Sequence, residues 1–116
     1  MNLFEALFVA HFVGDFLFQT SWMAKHKATR WGPLFTHVAV YTASVAVAGW
    51  LDGGLSGWAI ALVFATHAFL DRRGFVQWWA RRIQGVTRLE DRWLLVVTDQ
   101  VFHIIVLALA VALTRS

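Results

Sequence analysis

The sequence predicts an all-α integral membrane protein: a bundle of four transmembrane helices, with an amphipathic interfacial helix between the third and the fourth. Three observations lead there. Of 116 residues, 59% are hydrophobic and 15% charged, with a mean hydropathy of +0.58. That is more apolar and less charged than an ordinary soluble domain. Four apolar stretches approach the length of about 20 residues that a bilayer requires. The basic residues are confined almost entirely to two of the connections between those stretches. A chain of this length is expected to form a single transmembrane domain.

The first segment, residues 3–21, has no basic leader and contains Glu5, His11, Asp15 and Gln19. A retained helix is therefore expected rather than a cleaved signal. The second, residues 33–51, starts on Pro33, which is well tolerated in a first helical turn. It ends at the turn Asp52-Gly53-Gly54. The third, residues 55–71, is the shortest, and its polar end is expected near the head groups. Residues 73–90 are too charged to span. Phe75, Trp79, Ile83 and Val86 recur there at helical spacing, while Arg73, Gln77, Arg81 and Arg88 fall mostly on other sides. This pattern predicts an amphipathic helix lying in the interface, with Trp78 and Trp79 at head-group level. Its arginines either anchor it to anionic lipid, or Arg81 and Arg82 bind the phosphate of a lipid-like substrate. The fourth segment is residues 93–114.

Lys25, Lys27 and Arg30 follow the first segment, and Arg72, Arg73, Arg81, Arg82, Arg88 and Arg92 follow the third. The connection between the second and third carries no positive charge. The positive-inside rule then makes both basic connections cytoplasmic and both termini external. Charge distributed in this way serves topology, so the net +3 does not imply a nucleic-acid partner. With no cysteine, disulfides, thiolate metal sites and cysteine nucleophiles are excluded.

Four of the five histidines and three aspartates lie inside the apolar segments: His11-x3-Asp15, His37, His67-x3-Asp71 and Asp99-x3-His103. Four residues of helix advance about 6 Å and nearly a full turn, so each pair shares a helix face. An ionisable group at the bilayer centre costs roughly 2.5–3.5 kcal/mol even on the lenient insertion scale, and so suggests function. The shared His-x3-Asp frame of His11/Asp15 and His67/Asp71 hints at a parallel duplication about the membrane normal. Counted from the cytoplasmic ends of the segments, these residues occupy a common band roughly 15 Å deep.

Imidazole and carboxylate ligands suit Zn, Mn or Fe. His11, Asp15, His37, His67, Asp71, Asp99 and His103 are the candidate ligands. Seven exceed the needs of one tetrahedral ion, so two ions are a reasonable extrapolation, and a metal pair can clamp a phosphoryl group for attack by water. Gln19, Tyr41 and Gln100 are candidates to orient those ligands. The same pairs could instead serve as His–carboxylate links between helices, or as a proton pathway.

The block His11-x3-Asp15-Phe16-x2-Gln19-x2-Trp22-Met23-x-Lys25-x-Lys27, with His37, His67-x3-Asp71 and Asp99-Gln100-x2-His103, resembles the small bacterial membrane proteins of domain-of-unknown-function family 3307. The resemblance spans nearly the whole chain and implies a bacterial inner-membrane location, but no activity. Where that family tends to have a lysine after the third-segment aspartate, this chain has Arg72 and Arg73. A looser likeness to inner-membrane metal-dependent hydrolases is one of architecture only.

The resulting expectation is an intramembrane His/Asp metal site on the cytoplasmic side, hydrolysing a phosphoester or lipid-like substrate. The alternatives are a proton or metal-ion transporter subunit, or a non-catalytic accessory subunit that binds haem or a pigment. Membrane lipids are expected partners in each case, as is a homo-oligomer or a larger membrane complex.

Overall fold

A computed structural model describes residues 2–72 and 74–115. Arg73, assigned above to the interfacial helix, lies outside the described residues. Those residues are all-helical and include no strand: α1 (Leu3–Phe12), a π-helical turn (Val13–Leu17), α2 (Ser21–His26), α3 (Trp31–Leu51), α4 (Gly57–Asp71), α5 (Gly74–Arg82), a 3₁₀ turn (Leu89–Asp91) and α6 (Arg92–Arg115). α1 packs on α3, α3 on α4, α4 on α6, and α6 back on α1, so these four helices close a ring.

One end of the ring is filled by apolar side chains, among them Leu7, Val45, Ala59, Val63, Leu107 and Val111. The ring closes there through Ser56 N–H, which donates to Thr114 Oγ1 at 3.1 Å. At the other end Lys27 reaches Asp71, and Thr98 Oγ1 bonds Gln84 Oε1 at 3.1 Å. Both basic connections therefore gather at one end.

Many of the outward-facing side chains are large and apolar, including Phe8, Phe12, Phe16, Val47, Val101 and Leu109. Two helical stretches are long and apolar enough to cross a membrane: Trp31–Leu51, and Leu89–Arg115 with a mean hydropathy of 2.3. Of the most apolar window of the second, 28% is buried. Gly57–Asp71 is apolar but shorter.

The first segment departs from the uninterrupted helix expected over residues 3–21. After Phe12 the chain widens into the π turn, closed by Phe18 N–H donating to Val13 O at 3.0 Å. Gly14 allows this turn to lie against α3, since a Cβ there would come within 3.0 Å of Tyr41 Cα. Thr20 then adopts an extended conformation and caps α2 by accepting from Met23 N–H, which ends the first helix short of Ser21. The short helix α2 was not anticipated, because its residues read as a basic connection.

The helix expected over residues 73–90 is also shorter than predicted. It stops at Arg82 because Gly85 turns left-handed (φ +68°) and Val86 N–H folds back to Ala80 O at 2.8 Å. Phe75 and Trp79 of α5 pack edge-on against Phe102 of α6, and Val76 and Ala80 are buried. Ile83, grouped with them by spacing, is exposed.

Candidate metal centre

Asp15 from the π turn, His37 from α3, and His67 and Asp71 from α4 converge at the polar end of the ring, and all four are buried. His37 Nε2 stands 2.9 Å from Asp15 Oδ1, 3.1 Å from Asp71 Oδ2 and 3.1 Å from His67 Nε2. His67 Nε2 lies 2.9 Å from Asp71 Oδ2 and 3.5 Å from Asp15 Oδ1. Four ligands at 2.0–2.2 Å from a tetrahedral ion are separated from each other by about 3.3–3.6 Å, so these spacings, with slight relaxation, suit one cation.

A second group shares Asp71 and adds Asp99 and His103 of α6. Asp71 Oδ2 faces His37 and His67, while its Oδ1 lies 3.3 Å from His103 Nε2. One carboxylate therefore presents one oxygen to each group. His103 Nδ1–H donates to the Asp99 carbonyl at 2.7 Å, which leaves the Nε2 lone pair aimed at Asp71.

Among the described residues, hydrogen bonds do not satisfy all of these buried atoms. Three nitrogens stand within 3.2 Å of Asp71 Oδ2, yet no well-directed hydrogen bond reaches it. His103 Nε2 and Asp99 Oδ1 are likewise buried without a hydrogen-bond partner. Buried polar atoms are seldom left in this way, and an unplaced ion is one of the recognised reasons. The nitrogen and oxygen donor set fits a divalent transition metal. His37 Nδ1 and His67 Nδ1 also lack partners among the described residues, whereas His103 has the outer support common for ligating imidazoles.

His11 stands outside both groups. The amide nitrogen of Gln100 faces Asp99 Oδ2 at 3.4 Å, so Gln100 Oε1 accepts from His11 Nε2–H at 2.7 Å. His11 Nδ1 is then an acceptor, and Tyr41 O–H donates to it at 2.7 Å. Both ring nitrogens are engaged, and Asp15 Oδ2 is 3.9 Å away. The Tyr41 ring stacks on the His67 imidazole with centroids 3.8 Å apart, so His11, Tyr41 and Gln100 together brace the ligand groups. Gln19 Nε2–H donates to the Asp15 carbonyl at 3.0 Å and steadies the π turn.

Arg81 and Arg82 are exposed, near the end of α5. Arg81 lines a pocket of about 310 Å³ together with Arg88 and Arg92, whereas Arg82 is not part of its wall.

Lys27, named in the sequence only as a topology-setting charge and within the family block, was not placed among the site residues. It follows α2, is buried, and places Nζ 3.2 Å from Asp71 Oδ2. Its place one helical turn after the buried Met23 was the available signal, masked by neighbouring basic residues.

No curated protein and no solved structure matches the chain. A family model described as "Protein of unknown function (DUF3307)" matches residues 3–116, essentially the whole chain, and the protein belongs to that family.

Proposed function

We propose that this is a multi-pass protein of the bacterial inner membrane whose four-helix ring holds a His/Asp centre for one or two divalent transition metals. In this reading the centre serves metal-assisted hydrolysis of a phosphoester in an amphiphilic substrate. The observation that carries the metal centre is the divided carboxylate of Asp71, with one oxygen toward His37 and His67 and the other toward His103.

The membrane assignment is supported by the apolar outer surface around a polar interior, and by a long axis of 44 Å against a hydrocarbon core of about 30 Å. α1 and α4 are short, so their polar ends are expected to meet the head groups, with both basic connections on the cytoplasmic side.

A bound divalent ion supplies Lewis acidity and makes water a better nucleophile at neutral pH. The chain contributes the rest. Asp71 ties the two ligand groups together, and Asp99, the least buried ligand, lines a cavity of about 130 Å³. Arg81, Arg88 and Arg92 offer positive charge at the rim, and Leu95 lines both this basic pocket and the cavity beside Asp99. An anionic head group held at the rim would thus adjoin the metal ligands. A transmembrane relay is less well supported, since the far end of the ring is filled by the apolar core.

Elemental analysis of detergent-purified protein is expected to find about one to two equivalents of Zn, Mn or Fe per chain. Less than about a tenth of an equivalent, even after incubation with each metal, would sink the centre. Release of inorganic phosphate from lipid phosphomonoesters by loaded but not chelated protein tests the reaction separately.

A further inference from the structure

The segment after α2 delivers an ammonium to the heart of the ligand cluster. Lys27 is 6% exposed, and among the described residues Asp71 is its ion-pair partner. Burying an ammonium is unfavourable unless its charge and its three N–H donors are matched. Lys27 also lines the 130 Å³ cavity, together with Asp15, Gln19, Asp99 and Gln100. In that wall Gln19 Oε1 and Asp99 Oδ1 are buried without hydrogen-bond partners. The space is ample for several water molecules or a small polyatomic ion, since a single water needs only about 10–15 Å³ by the same kind of measure.

Charge decides what such a space can hold. With neutral imidazoles, the three aspartates against Lys27 leave the site with a net charge of two minus. In that state it repels anions. One divalent cation neutralises it, and two reverse the sign. Lys27 then shares Asp71 Oδ2 with a metal ion, and two cations at one oxygen in a low-dielectric interior repel strongly. An anion in the adjoining cavity relieves that repulsion and gives the ammonium a charge-assisted hydrogen bond.

We propose that Lys27 and the metal-loaded His/Asp cluster together bind a phosphate-type oxyanion in this cavity, and that Lys27 is the residue that holds it. This rests on the metal-centre reading above. Gln19 Oε1, orphaned and outside both ligand groups, favours an anion that carries a hydroxyl or brings a water, such as hydrogen phosphate or a phosphomonoester. The same chemistry occurs in free phosphate and in a phosphomonoester lipid head group.

The test uses zinc-loaded protein in detergent, with zinc content measured first. Calorimetric titration with inorganic phosphate, and separately with a short-chain phosphatidic acid, is expected to show binding that disappears on chelation. Lys27→Met should weaken it at least about tenfold and Lys27→Arg should restore most of it, because a charge-assisted hydrogen bond is lost and regained. Zinc content should be equal in all three proteins. Comparable affinity for both anions assigns the site to free phosphate, whereas tighter binding of the lipid assigns it to a head group; each supports an oxyanion site.

Undiminished binding in Lys27→Met overturns the proposal, as does the absence of binding by zinc-loaded wild-type protein. Loss of zinc from Lys27→Met also overturns it, since Lys27 would then merely hold Asp71 in place. Absence of zinc from the wild-type protein is a separate failure, that of the metal centre itself.

Discussion

The two ligand groups that share Asp71 differ in how they are enclosed. Asp15, His37, His67 and Asp71 are all buried and come from the π turn, α3 and α4. The second group draws only on α4 and α6, and its Asp99 side chain is 19% exposed beside the cavity. Closed tetrahedral sites generally serve structure, while reactive sites keep a position open. On the reading proposed above, the first group would hold its ion in place and the second would carry the chemistry, with Asp71 joining them.

The largest effect should come from the residue that belongs to both. Asp71→Asn is expected to lower metal affinity by more than the roughly 10–100-fold typical of an outer supporting residue, emptying both groups in elemental analysis. The thermal midpoint of this variant should no longer respond to chelator. Wild-type protein should lose about 4 kcal/mol on chelation if its metal is held at a thousandfold excess over Kd. Retention of full metal content would break the idea of a shared ligand.

An intermediate and asymmetric effect is expected from the unshared ligands. His67→Ala should remove the enclosed ion and lower the thermal midpoint. Asp99→Asn should leave about one equivalent in the closed group and abolish phosphate release, as expected when a ligand of the reactive ion is lost. Equal metal loss in the two variants would erase the distinction between the groups.

Tyr41→Phe should have the smallest consequence. It removes the O–H donated to His11 but leaves the ring stacked on His67. Metal content should be unchanged and metal affinity should fall by about tenfold at most, the low end for an outer partner, as read by competition with a chromophoric chelator. A loss as large as that in His67→Ala would mean that His11 itself belongs among the ligands.

The helical class, the polar residues worth following and the end of the ring where they gather were legible in the sequence. His-x3-Asp spacing makes a pair share a helix face whatever the fold. Dividing those residues into groups was not legible, because it depends on which helices are neighbours. His11 and His67 head similar motifs, yet His11 is satisfied by Tyr41 and Gln100 while His67 points at Asp71 and His37. Lys27 was not placed at the site because exposed and buried lysines look alike in a basic stretch, and its inward position at the C-terminal cap of α2 is set by the tertiary fold.

Composition and spacing by themselves thus determined an all-helical chain with ionisable residues on its inner faces, since burial preference and helical period are local properties. Tertiary structure alone decided that Gly14 lets a π turn close against Tyr41, that Gly85 ends α5 early, and that Asp71 turns its two oxygens to different partners. Each of these depends on atoms brought together from distant parts of the chain, and no local pattern encodes such distances.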